Sequence, residues 1–107
     1  MAKYLVQASY SLEGTKGLRK DGGSKRRAVL HETASSLGGK LEAFYYTFGD
    51  TDVVAILDLP DHASAAAAAL TISASGSVSH YKTTVLLTPE EIDQAAKKSV
   101  AYSPPGE

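Results

Sequence analysis

Two β-rich segments separated by a single turn constrain this chain more than anything else in it. Lys40 to Phe48 (KLEAFYYTF) and Val53 to Leu59 (VVAILDL) flank Gly49-Asp50-Thr51-Asp52, and Pro60 stops the second. A parallel crossover needs a dozen or more residues, so four turn-forming residues can only join antiparallel neighbours. The two strands are also apolar on both sides. Phe44, Tyr46 and Phe48 share one face while Leu41, Ala43 and Tyr45 occupy the other, and Val53 to Leu57 is apolar throughout. A sheet with one wet face should alternate instead. The second apolar face therefore needs a cover, and 107 residues make one domain with no chain left for another layer. The expected cover is a second copy, sheet against sheet at about 10 Å. The plainer alternative is a few tolerated exposed aliphatics.

The flanking pattern completes the fold. Lys3 to Tyr10 reads as a first strand with Tyr4, Val6, Ala8 and Tyr10 on one face and Leu5, Gln7 and Ser9 on the other. Gly14, Gly17, Gly22 and Gly23 predict a loop with short turns. Ser24 is then placed to cap a helix to about Leu37, with Leu30, Ala34 and Leu37 on its buried stripe and Gly38-Gly39 ending it. Asp61 caps a second helix through Ala74, in which Ala66 and Ala69 are expected to face the sheet. Val78 to Leu87 is the fourth strand, with Tyr81, Thr83, Val85 and Leu87 on the helix side and Val78, His80, Lys82 and Thr84 opposite. Thr88-Pro89-Glu90-Glu91 carries a capping-box signature for a last helix to about Ser99. The predicted fold is α+β: a ferredoxin-like β-α-β-β-α-β order with an antiparallel four-stranded sheet and an extra C-terminal helix. Residues 1–99 form the domain and 100–107 a flexible tail.

Composition removes several function classes. Eleven Lys and Arg against twelve Asp and Glu give a net charge of -1, too balanced to recruit nucleic acid or an anionic membrane. The absence of cysteine excludes disulfides, thiolate metal sites and cysteine nucleophiles. No apolar run is long enough to span a membrane, and Met1 to Leu5 leads into a strand and does not read as a signal peptide. His31, His62 and His80 follow no metal-ligating spacing, so no metal and no cofactor are expected. Asp50 and Asp52 read as hydrogen-bonding residues of the turn.

Two sets of residues remain as candidate chemistry. Six of the eleven basic residues lie between positions 16 and 27, and Ser24, Lys25, Arg26 and Arg27 stand in the first turn of a helix, where anions are favoured. The segment lacks the lysine that a phosphate loop requires before Ser24, because Gly23 stands there. A solvated surface turn is the competing reading. The second set faces away from the helices. His80 and Lys82 point the same way from the fourth strand, and Gln7 lies on the corresponding face of the first. Together with Tyr45 as an aromatic wall they define a candidate inter-subunit site in which His80 is the titrating, catalytic group and Gln7, Tyr45 and Lys82 bind ligand. An edge strand kept polar against aggregation is the competing reading here.

Gly38 to Tyr45, Phe48-Gly49-Asp50-Thr51-Asp52-Val53-Val54, Leu59-Pro60-Asp61, the alanine-rich helix ending in Gly76 and Thr88-Pro89-Glu90-Glu91 together resemble the GYD domain family of small bacterial proteins. Gly49 and Asp52 match the namesake motif, whereas Thr51 stands at the family's tyrosine. The resemblance implies a dimeric α/β barrel and no particular activity. The expected protein is cytoplasmic and oligomeric. It binds a small organic molecule in a cavity of the barrel, with or without cofactor-free conversion, or else serves as an assembly or regulatory module whose apolar sheet face only oligomerises.

Overall fold

The computed structural model describes residues 1–107, folded as β1 (Ala2–Tyr10), α1 (Leu12–Asp21), α2 (Gly23–Ser36), β2 (Lys40–Tyr46), β3 (Val53–Leu59), α3 (His62–Ala74), β4 (Val78–Leu86) and α4 (Pro89–Ala96). The four strands form one antiparallel sheet in the order β2-β3-β1-β4. This is the predicted ferredoxin-like arrangement, with α2 packed over β2 and β3 and α3 over β3 and β4. The core lies under those two helices, where Tyr4, Val6, Ala34, Ala55, Leu57, Leu59 and Ala65 form one buried cluster.

The glycine-rich segment is a helix and not the predicted loop. Ser11 caps α1 by accepting from the Gly14 amide at 3.1 Å, Glu13 occupies the first turn, and Arg19 and Lys20 occupy the last. Glycine in a helix costs about 1 kcal/mol relative to alanine, which is why the sequence reads as irregular here. Gly14 is required by tertiary contact, since a Cβ there would overlap the Ser77 carbonyl. The Ser11 amide donates to Ser77 O at 3.0 Å and its hydroxyl to Gly76 O at 2.6 Å, fastening α1 to the corner between α3 and β4. Gly22, at φ 85°, separates α1 from α2, so α2 begins at Gly23 with no side-chain cap and Ser24 lies inside it.

Two bulges correct the predicted facing of single residues. The register of β2 against β3 shifts between Leu41 and Ala43, so Leu41 pairs with Leu57 on the core side while Ala43 and Tyr45 stay on the open side. A second shift, between Ser9 and Tyr10, pairs Tyr10 with Val78 and turns Val78 toward the helices. In α3 the buried alanines are Ala65 and Ala68; Ala66 is exposed, one position out of phase with the expectation. The strand β2 ends at Tyr46, and Phe48 takes a positive φ of 54° in the turn while stacking on Tyr46.

Asp52, in the same turn, ties the hairpin to β1 by accepting from the Tyr10 amide at 2.9 Å, a structural duty in keeping with its position. The capping box at Thr88 and Glu91 is formed, although α4 stops at Ala96, short of Ser99. Every residue from Leu87 to Glu107 is exposed. A chain of this length packed uniformly has a radius of gyration of about 13 Å. The observed 17.0 Å, with a longest extent of 57 Å, reflects the projection of α4 and the tail from the body.

Candidate functional site

The helix-covered side of the sheet is not filled. Between α2 and α3, above β1 and β3, lies a cavity of about 240 Å³. Its origin is readable in side-chain size. The strand positions beneath it include Ala8 and Ala55, both buried, and α3 borders it with Thr71, Ile72 and Ser75, so small side chains beneath leave a space walled by Val29, Leu30, Phe44 and Tyr81. Eleven of its sixteen lining residues are hydrophobic. That volume lies just below the roughly 300–1,000 Å³ of clefts that hold drug-sized ligands, and the mixture of apolar walls with a few polar groups is theirs too.

Polar groups gather where β1 ends against α2. Tyr10 lies on the same face of β1 as Tyr4, Val6 and Ala8, and Arg26 projects from the first turn of α2; both line the cavity. Burial first, and then Tyr46, push the Tyr10 phenol up to about 12, with the Arg26 guanidinium pulling in the opposite direction. Tyr10 is accordingly a neutral donor at physiological pH. Tyr46 is itself held by donating to Gly23 O at 3.1 Å. On the far wall the Tyr81 phenol is raised by burial and its oxygen lacks a hydrogen-bond partner, the Thr83 hydroxyl nearby being poorly placed to bond it. Thr33 and Ser75 also line the cavity, but their hydroxyls are spent on Val29 O at 3.0 Å and Ile72 O at 2.6 Å. The arrangement can bind and orient a small molecule. It offers no nucleophile and no paired acid and base.

The residues singled out from the basic segment separate. Arg26 faces the cavity; Lys25 pairs with Asp21 at 3.7 Å across the Gly22 junction between α1 and α2; Ser24 and Arg27 line a second, more open cleft on the edge of β2, with His31 and Tyr45. The set on the open face of the sheet is only partly brought together. Gln7 lies directly across from Lys82, and Ser9 from His80, on β1 and the edge strand β4. Tyr45 stands in the same row but on the opposite edge strand, beyond Val54. His80, Lys82 and Tyr45 are all exposed in the single chain.

The remaining polar groups of that face form an ion cluster at the far end of the strands. Lys3 contacts Glu42 at 2.8 Å and Asp58 at 3.6 Å, and the Glu42 contact first, with Asp58, raises the Lys3 ammonium above its ordinary value. On the helix side, Tyr4 and His62 share a hydrogen bond of 2.7 Å from phenol oxygen to Nδ1, with the rings edge to face. Tyr4 is 1% exposed and its phenol is raised by burial and by Asp61. His62 is thus engaged in fixing the start of α3 to the core. No group of three or more His, Asp or Glu side chains is arranged to hold a metal ion, and no helix is long and apolar enough to cross a membrane.

Tyr10 was not among the residues the sequence marked as chemical, although its place on the buried face of β1 was. The signal available was its position at the end of a strand otherwise made of small and aliphatic inward residues. The sequence model of the GYD domain family matches residues 4–96, from the first strand to the end of α4. A comparison with curated proteins finds no match.

Proposed function

Starting from the fact that the chain belongs to the GYD domain family, we propose that it binds a small organic molecule in the cavity between α2, α3 and the sheet. One observation carries this reading: a ligand-sized apolar space under the helices, floored by alanines, with polar side chains gathered at one side. The fold positions a binder better than a catalyst, because the polar groups are a neutral phenol and a permanent cation. A probe without polar groups tests the cavity by itself. Toluene added to the protein should shift the methyl resonances of Val6, Ala8 and Ile72; if these methyls stay put while the rest of the spectrum confirms a folded chain, the reading is wrong.

A second reading has its own support. Leu5, Val54, Ile56 and Ala43 form a half-buried apolar band on the open face, with no element of the chain over it, and Ile92, Val100 and Tyr102 are exposed on the projecting C-terminal segment. Both fit assembly of several copies, sheet against sheet, as a dimer or larger. In such an assembly Tyr45 of one protomer could approach Lys82 and His80 of another, which is the remaining route to a site on that face. Sedimentation equilibrium at micromolar concentration should give at least twice 11.2 kDa. A monomer mass would remove the assembly and that site together, and would leave the cavity under the helices untouched.

A further inference from the structure

Taking the cavity between α2, α3 and the sheet as a binding site, we propose that it selects small organic monoanions, in particular carboxylates carrying an aromatic or short branched apolar body, held by Arg26 and Tyr10. The first argument is charge. Among the sixteen residues lining the cavity none is acidic and one, Arg26, is basic. The lining therefore carries a single uncompensated positive charge.

The second argument is the state of that charge within the chain. The three ion pairs of the molecule join Lys3 to Glu42, Lys3 to Asp58 and Lys25 to Asp21, and Arg26 takes part in none of them. Arg26 is also only partly exposed, and its neighbours along α2, Lys25 and Arg27, are exposed cations. A partly desolvated guanidinium with no carboxylate within ion-pair distance is complemented by an anion. Its planar fork matches a carboxylate through two parallel hydrogen bonds.

The third argument is the division of labour among the other groups. Thr33 and Ser75 already donate their hydroxyl protons to backbone carbonyls, so they keep only acceptor capacity and donation to a ligand falls mainly to Arg26 and Tyr10. Tyr10 lies beside Tyr46 and Arg26, and its raised pKa keeps the proton on the phenol, so it can turn to donate to a ligand anion. The remaining walls, Val6, Val29, Ile72 and Val78 among them, are apolar and suit a ring or branched alkyl group. Position reinforces the choice, because Arg26 lies in the first turn of α2, where unpaired amides and the helix dipole favour negative charge.

The test compares ligands of similar size and differing charge by titration calorimetry at physiological salt: benzoate, benzyl alcohol and benzylamine. Benzoate should bind about 10-fold or more tightly than benzyl alcohol, in line with a charge-assisted hydrogen bond, and benzylamine should bind most weakly. Arg26→Gln should erase the preference for benzoate while leaving benzyl alcohol affinity nearly unchanged. Arg26→Lys should restore part of it. Arg27→Gln removes an equal charge outside the cavity and should leave the preference intact. Equal binding of benzoate and benzyl alcohol overturns the proposal, as does an equal loss in Arg26→Gln and Arg27→Gln, which would mean that surface charge alone attracts the anion. Failure of all three compounds, together with toluene, would instead remove the binding cavity itself.

Discussion

The two faces of one sheet are built from the same four strands and have opposite characters. On the covered face Tyr4 pairs with Leu57, Val6 with Ala55 and Ala8 with Val53, so the buried side chains shrink along the sheet before Tyr10 ends β1. The large end packs against α2 and α3 as a closed core. The small end leaves the cavity where Tyr10 and Arg26 meet. On the open face the apolar band of Leu5, Val54 and Ile56 has charged residues at one end and Gln7 with Lys82 at the other, none of them enclosed by the chain. The lesson is that residue size, more than polarity, decides where a small domain makes room for a ligand. The face rich in polar side chains is left open by the chain; the face with the space is lined mainly by small and aliphatic residues.

The largest expected consequence of this contrast is in stability. Leu57 is 1% exposed in the core cluster, and Leu57→Ala should cost about 2–5 kcal/mol by denaturant unfolding. Ile56→Ala, one residue away on the open face, should cost clearly less in the monomer. Equal losses would mean that the open face is as well covered as the core.

The next effect concerns how closely α3 approaches. Ala68 is 2% exposed, so Ala68→Leu should overpack the helix against the sheet and lower stability by about 1–3 kcal/mol. Ala66 is exposed, and Ala66→Leu should stay within about 0.5 kcal/mol of the parent. Thermal melts of the pair therefore fix the rotation of α3.

A smaller effect is expected at the start of the same helix. Asp61 accepts from the Ser64 amide and hydroxyl, both at 2.8 Å, and these bonds hold its carboxyl below the usual carboxylate range. Asp61→Ala should lower the melting temperature modestly near neutral pH. A lowered carboxylate pKa stabilises the fold above the unfolded-state value of about 4 and loses that contribution as pH falls through the folded value. The difference between parent and variant should accordingly shrink in acid; a constant difference would mean that the cap acts through packing alone.

The smallest effect is spectroscopic. Burial leads the causes that raise Tyr4, Tyr10 and Tyr81, the second to about 12. These groups favour the folded state below the unfolded phenol value of about 10, and the contribution is lost as pH rises through their folded values. Phenolate absorbance should show Tyr10→Phe removing a transition at the alkaline end of the titration. Loss of an ordinary transition instead would place Tyr10 in open solvent and outside the cavity.

Much of this contrast was legible in the residues themselves. The hairpin, the cap at Asp61, the capping box at Thr88 and the two-faced strands follow from short-range pattern and turn chemistry, and all appear in the fold. What escaped was determined at longer range. The helix α1 carries two glycines and exists because Ser11 and Gly14 fit against Gly76 and Ser77, more than sixty residues away in sequence. The facing of Leu41 and Val78 depends on bulges, which insert one residue and reverse a parity that alternation alone would carry forward. The phase of α3 was unreadable because a run of alanines has no apolar stripe to orient it. The cavity combines all three difficulties. Arg26 was marked by its place at a helix start, whereas Tyr10 and the small residues Ala8 and Ala55 acquire meaning only once two helices stand apart above them.

We propose ligand binding on the covered face, between α2 and α3. An amide NMR titration with benzoate tests it most directly, since one spectrum reports on both faces at once. The prediction is that shifts concentrate at Ala8, Tyr10, Arg26 and Val78, which line or border the cavity. Shifts concentrated at Gln7, His80 and Lys82 on the open face, with the cavity residues unmoved, would contradict it.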